Sequence, residues 1–490
     1  MALRLGSLLA PRARRCASTL AADGSYAVAV DNPYSGETYC EVGYKTSAEA
    51  LAAVDASAAA QRAWAAETTV EQRVAVCAKF MEAIKADADR IANDISGMMG
   101  KPVAHARGEI GGMMERCEMM MALAPKALAP DVLPAKDNFV RTIEKDPVGV
   151  VLCIAPWNYP LLTTVNCVVP AVLAGNAVAI KHSPRTPLCA DAFERAFLAA
   201  GAPEGLVTAL HCGHGEVEDV IAREAVGFVS FTGSVRGGRE VYGAVAKHRF
   251  IDATLELGGK DPAYVAEDAD VAAAAAGLVD GAMWNAGQSC CGIERVYVHE
   301  SNYDEFLAAA KAEVDAFVLG DPAAAATSMG PLALPGAPAF LQGQVDDAVA
   351  KGATLLAGGA AGPDASGKGR FFTPTLLGDC DHAMSLMVDE SFGPVLGVAK
   401  VAGDDDAVEL MNDSAYGLSA CVFTKDHDRA LALSKRVATG TFFQNRCDYL
   451  DPALPWTGVK NTGKGVSLSE HGFRGVTRLR NFHAKLDASA

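Results

Sequence analysis

Between about residues 47 and 121, Ala, Leu and Met recur at three- and four-residue spacing among Glu, Lys and Arg, the period of helices with one buried face. The period changes at "PVGVVLCIAP" (147–156), a continuous apolar run closed by Pro156, which predicts a strand buried in a parallel sheet. A helical piece follows, stops at Gly175 and gives way to a second buried strand over 177–181. "AVGFVSFTGS" (225–234) predicts a third strand, then a glycine turn and another helix. Strand, helix and strand in this order make 147–256 a doubly wound layer of the nucleotide-binding kind. A second alternating α/β region runs over 257–455, with strand-like "ERVYVH", "LGVAKV" and "LSACVFT". The tail "GVTRLRNFHAKL" (475–486) alternates apolar residues with a basic surplus and predicts an edge strand paired elsewhere, another subunit being one candidate.

A chain of 490 residues exceeds what one core serves, so two or more domains are expected. Half of it is apolar and 21% charged, which excludes disorder over most of its length. A net charge of −16 without a concentrated basic face argues against a nucleic-acid partner. No apolar run reaches the ~18–20 residues of a membrane-spanning helix, so no membrane partner is expected. Thirteen scattered cysteines, an odd number without framework spacing, read as reduced thiols. The first twenty residues hold Arg4, Arg12, Arg14 and Arg15 and no acid, as organelle transit peptides do. That segment predicts import into the mitochondrial matrix, with chloroplast or cytoplasm as alternatives, and a frayed basic terminus as the reading without targeting.

Chemistry concentrates in a few stretches. "NAGQSCCG" (285–292) sets Cys290 beside Cys291 between small residues. Adjacent cysteines without a further Cys-x-x-Cys or His-x-x-His fail the spacing of a zinc site, so no metal is expected. Two readings stay open: inert structural thiols, or a nucleophile near a base and electropositive amides. In "LELGGKDP" (255–262), Glu256 lies between leucines, where burial would raise its carboxyl towards a general base. Pairing of Glu256 with Lys260 is the structural alternative. In "APWNYP" (155–160), Asn158 follows a strand end and offers an oxyanion donor or, alternatively, an Asx-turn. "FTGSVRGG" (231–238) places Gly233 at the start of a helix, where a pyrophosphate can bind, although the full G-x-G-x-x-G pattern is absent.

"PWNYP", "FTGS", "LELGGKDP", "GQSC", "ESFGPV" (390–395) and "PWTGVKNTGKG" (455–465) occur in an order that resembles the NAD(P)-dependent aldehyde dehydrogenase superfamily, from about Asn32 to His483. The resemblance implies an α/β fold with a Rossmann-type cofactor-binding domain (22–129 and 147–256), an α/β catalytic domain (257–455) and a small β oligomerisation arm (130–146 and 472–486). It implies Cys290 as nucleophile with Cys291 a bystander, Glu256 as general base and Asn158 as oxyanion donor. Trp157, Lys181, Gly233, Ser234, Glu390 and Phe392 would hold the cofactor. The expected reaction is oxidation of an aldehyde to its acid through a Cys290 thiohemiacetal and thioester, in a homodimer or homotetramer.

Two positions depart from the family's pattern. Three residues after Lys181, NAD-specific relatives commonly carry a glutamate; here stands Pro184, then Arg185, so NAD is ranked first with NADP also accepted. Relatives that handle succinate semialdehyde resemble one another in an arginine eight or nine residues after the oxyanion asparagine. Asn166 and Cys167 occupy those positions, which ranks that substrate low and neutral aldehydes higher. The alternatives are a CoA-acylating semialdehyde dehydrogenase, which generally lacks the glutamate base present here, and a non-catalytic homologue of the same fold.

Overall fold

The apolar run before Pro156 forms β1 (Val150–Ala155), all six of whose residues are buried. Strand side chains alternate between faces. Val151, Cys153 and Ala155 accordingly join one core, and Val150, Leu152 and Ile154 the other. Parallel to β1 run β2 (Ala177–His182), β3 (Val207–Ala209), β4 (Val226–Thr232) and β5 (Asp252–Glu256), in the order β5-β4-β1-β2-β3. Winding reverses between β1 and β4, so the loops leaving their carboxyl ends diverge and open a crevice. Trp157 and Asn158 leave on one side of it, Gly233 and Ser234 on the other.

The helical period of the amino-terminal third becomes α1 (Ser47–Glu67), α2 (Val70–Ala86), α3 (Ala88–Met99) and α4 (Val103–Ala127). Capping boxes start the first two, Thr46 with Glu49 and Thr69 with Gln72, satisfying N–H groups that the helix leaves open. α5 (Leu162–Leu173) follows β1 and packs on α4; α6 (Leu188–Ala199), α7 (His214–Ala222) and α8 (Val235–His248) follow β2, β3 and β4.

A second sheet has its own core: β6 (Asp261–Val265), β7 (Ile293–His299), β8 (Thr354–Ala357), β9 (Thr375–Gly378), β10 (Val395–Val401), β11 (Ser419–Phe423) and β12 (Thr441–Gln444). Their order is β8-β9-β10-β7-β6-β11-β12, parallel except for β8 against β9. Chain beyond 455 then returns to the first sheet, where β13 (Gly463–Lys464) pairs antiparallel with Leu255 and Glu256.

The computed structural model describes residues 18–20 and 26–486, so most of the Arg-rich start lies outside the described residues. Ser18–Leu20 pairs with Tyr26–Asp31, which pairs with Thr38–Tyr44, a three-stranded sheet that the hydrophobic pattern did not reveal. The tail strand, Thr477–Lys485, finds its partner within its own chain, running antiparallel to Phe139–Pro147, with Asp131–Val132 on the far side. Leu479, Phe482 and Val132 in this small sheet remain exposed. Among the described residues no helix is long and apolar enough to cross a membrane, and every cysteine is a free thiol.

Candidate active site

α9 (Val271–Met283) runs into the "NAGQSCCG" loop, where Asn285, Ala286 and Gly287 take left-handed φ angles of 54°, 56° and 67°. Such angles cost a non-glycine residue about 1–3 kcal/mol, so the surroundings must enforce them. Asn285 Nδ2 donates to the carbonyls of Asn158 (3.2 Å) and Gln288 (3.1 Å). Gln288 Nε2 donates to the Asn285 carbonyl (2.9 Å), and its Oε1 accepts from the Ala333 amide (2.9 Å). A Cβ on Gly287 would lie 2.1 Å from the Gly393 carbonyl oxygen, so only glycine fits.

Both thiols line one cavity, but they differ in burial. Cys290 is half-buried, whereas Cys291 is buried among Leu418, Trp456 and Leu468 and donates from Sγ to Asp448 Oδ1 (2.9 Å). The adjoining Cys290 thiol, and burial after it, push Cys291 well above the usual thiol range, which keeps it protonated.

Glu256, the last residue of β5, lines the same cavity of roughly 930 Å³ as Cys290, with Arg116, Tyr159, Asn166 and Trp456. Burial raises its carboxyl above the ordinary range, against Ser467 Oγ (2.5 Å) and Thr232 Oγ1 (3.4 Å), which donate to it, and the charge of Arg116. The following turn lies on the Cys290 backbone, for a Cβ on Gly259 would sit 2.2 Å from the Cys290 carbonyl oxygen. Lys260 is not the partner of Glu256. Its ammonium pairs with Glu294 (2.5 Å) in the interior, because Lys260 immediately precedes β6 and Glu294 lies in the neighbouring β7.

Asn158 is buried, and its Nδ2 donates to the Gln288 carbonyl (3.2 Å), two residues before Cys290. Its own carbonyl accepts from Lys101 Nζ (2.9 Å), which is ion-paired with Glu109. Glu109 Oε1 in turn accepts from the Leu161 (2.8 Å) and Leu162 (3.3 Å) amides. Arg116 lies two helical turns beyond Glu109, hence on the same face of α4. Its Nη1 donates to the Leu162 carbonyl (2.7 Å) and Asn166 Oδ1 (3.0 Å). The corner read from the sequence as lacking a cation therefore contains one, supplied by α4 instead of α5. Cys167 points into the core.

The proposed cofactor residues gather at the crevice and the facing edge of the second sheet. Lys181 is buried at the end of β2, and burial lowers its ammonium below the usual range. Ser234 caps α8, its Oγ accepting from the Gly237 amide (3.1 Å). The Gly233 amide donates to the Glu256 carbonyl (3.0 Å), so the open amides of the α8 end, not this group, are the ones a phosphate could use. Glu390 accepts from the Gly259 amide (3.0 Å) and is raised to about 8 by burial, then by the charge of Glu294. Phe392 meets Trp157 edge to face at 5.5 Å. Arg185 turns away to Asp31, which also holds Arg370. A buried ammonium, a helix N-terminus and a carboxyl along one crevice fit a nicotinamide dinucleotide.

Sequence reasoning missed Lys101, Glu109, Arg116, Asp448, Ser467 and Glu294. The seven-residue spacing of Glu109 and Arg116 among buried Ile110, Met113 and Met120 was the one local signal, since charges on an apolar face need partners.

The aldehyde dehydrogenase family model matches residues 20–482, and the chain belongs to that family. It is an NAD(P)+-dependent oxidoreductase acting on aldehydes. It is 38% identical to an NADP(+) succinate-semialdehyde dehydrogenase of Deinococcus radiodurans, over 92% of this chain and 93% of that one. It is 36% identical to the 3,6-anhydro-alpha-L-galactose dehydrogenase of Streptomyces coelicolor, over 93% and 92%. The structure of a succinic semialdehyde dehydrogenase from Streptococcus pyogenes, in complex with NADP+, superposes with a TM-score of 0.88 at 30% identity, covering 93% of this chain and 99% of that one. The match begins at residue 20, so the Arg-rich start lies before it.

Proposed function

We propose that the protein oxidises an aldehyde, of the semialdehyde type, to the carboxylic acid at Cys290. The observation that carries this reading is the convergence of Cys290, Glu256 and the Asn158 loop on one cavity, from three separate segments. The Cys290 thiolate adds to the aldehyde carbon, and the new oxyanion is held by the Asn158 amide and the Cys290 backbone N–H. The chemistry NAD(P)+ supplies when bound is acceptance of hydride, which turns the thiohemiacetal into a thioester. Glu256, its carboxyl raised by burial, takes a proton from water as that water attacks the thioester carbon, and the acid leaves as Cys290 is restored. Lys181 and the α8 N-terminus would hold the adenosine ribose and diphosphate, and Glu390 the nicotinamide ribose, with Phe392 and Trp157 beside the ring.

NADP+ is favoured over NAD+, a reordering of the sequence reading. Pro184 leaves no carboxylate to repel a 2′-phosphate, Lys181 supplies a cation, and the D. radiodurans relative is named for NADP(+). Exposed Leu479, Phe482 and Val132 support a homo-oligomer built on the small sheet, which light scattering would test. The acid-free Arg-rich start supports organelle import, the expected mature chain beginning near residues 16–22; an intact Met1 in the endogenous protein would overturn it.

The central test is NAD(P)H formation by absorbance against an aldehyde panel. Cys290→Ala is expected to bind cofactor without turnover, and retained turnover would sink the assignment.

A further inference from the structure

We propose that Arg116 anchors a carboxylate at the far end of the aldehyde, making this residue of α4 the selector for semialdehydes; this rests on Cys290 as the reacting group.

Arg116 is a cation that no carboxylate touches among the described residues, Glu256 and Glu109 acting on it only at a distance. The residue is only 8% exposed, yet both of its hydrogen bonds go to neutral acceptors, the Leu162 carbonyl and Asn166 Oδ1. Among the described residues no carboxylate forms an ion pair with it. A buried charge normally has such a partner, because desolvation costs several kcal/mol otherwise. Nη1 makes both bonds. The Nε–Nη2 edge, which receives a carboxylate through two parallel hydrogen bonds, makes none among the described residues.

The guanidinium also lines the cavity that Cys290 and Glu256 line. A substrate held at both ends there would have its aldehyde on the thiol and its tail on Arg116. Of the acids around this cavity, Glu256 acts on the cation through space only, with no hydrogen bond or ion pair to it among the described residues, its oxygens being taken by Ser467 and Thr232. Asp448 is held neutral by burial beside Cys291, Asp280 is raised by burial, and Glu115 is engaged by the Tyr449 hydroxyl (3.0 Å). Asn166 keeps Arg116 in place, so the position that looked wrong for an acid tail in the sequence orients the group that receives it.

The test compares a semialdehyde with a neutral aldehyde of equal length. Purified full-length enzyme is assayed with succinate semialdehyde and with butanal, and the ratio of their kcat/KM values is taken. Effects of Arg116 on Glu256 or on the Cys290 thiolate act on both substrates and cancel in this ratio. In Arg116→Met the ratio is expected to fall about 100-fold, through KM for the semialdehyde, with Arg116→Lys losing about tenfold because a point charge replaces the fork. A ratio unchanged within about threefold overturns the proposal. Should the Met variant fail to fold, wild-type butanal oxidation decides. Succinate is expected to compete with butanal at least about ten times more tightly than butyrate does, and equal inhibition overturns the anchor. Cysteine-dependent butanal turnover keeps the nucleophile assignment separate, since it stands or falls with Cys290→Ala whatever Arg116 does.

Discussion

Two buried lysine–glutamate pairs flank the Cys290 loop, and they grip different things. Lys101–Glu109, between the start and the second turn of α4, holds the Asn158 carbonyl and the amides of Leu161 and Leu162. Lys260–Glu294, between β6 and β7, holds the amides of Ser391 (2.8 Å) and Phe392 (2.9 Å) and the Ser391 hydroxyl (3.0 Å). Both are almost fully withdrawn from solvent, so both carry the desolvation cost of two charges. What each gains is a fixed backbone: one beside Asn158, the proposed oxyanion donor, the other beside Phe392, which stands at a φ of 51°. Equal chemistry thus serves two halves of the proposed site, its substrate side and its cofactor side.

Breaking the first pair has the largest expected effect. Glu109→Ala leaves Lys101 buried without its anion and is expected to cost about 3–5 kcal/mol in urea melts, and about 100-fold in single-turnover rate as Asn158 loses its position. Glu294→Ala should cost similar stability, yet appear mainly as a cofactor KM raised about tenfold or more. If the rate falls in both variants while cofactor KM moves in neither, the division between the two sides is wrong. Replacing the whole first pair, Lys101→Met with Glu109→Leu, should recover most of the lost stability but not the rate, because the Leu161 amide stays unsatisfied.

The cofactor side carries a pH signature. Glu390 titrates near 8 in the folded chain, above its unfolded value, so it favours folding fully at low pH and this contribution is lost as pH rises from about 4.5 through 8. Glu390→Gln should therefore flatten the decline of Tm between pH 6 and pH 9 in scans of the cofactor-free protein; an unchanged decline would place the titrating group elsewhere. The smallest effect is expected outside both clamps, where Cys291→Ala should keep turnover within about threefold in steady-state assays.

Much of this arrangement was legible in the chain. The buried run before Pro156 and the alternation around it are local properties, and they led to β1, β2 and β4 in the right places. The Gly-Gln register before Cys290 and the leucines around Glu256 likewise led to one cavity. Other features were not legible, because their partners are distant. Lys260 stands four residues from Glu256 yet pairs 34 residues away with Glu294. The Gly233 amide is spent on a carbonyl of the neighbouring strand, β5, 23 residues on. The tail strand closes on residues more than three hundred positions earlier in the same chain, as the Arg480–Asp146 contact at a separation of 334 marks.

Hydrophobic period, turn residues and short polar motifs depend on neighbours along the chain, so the sequence by itself determined the sheet layers, the family and the candidates for the reactive groups. Arg116 and Asn166, 50 residues apart, required the packing of α4 on α5 before a cation could be located beside the cavity. Which charge meets which partner, and which charge is left for a ligand, is settled by how buried faces are brought together. That information exists only in the tertiary structure.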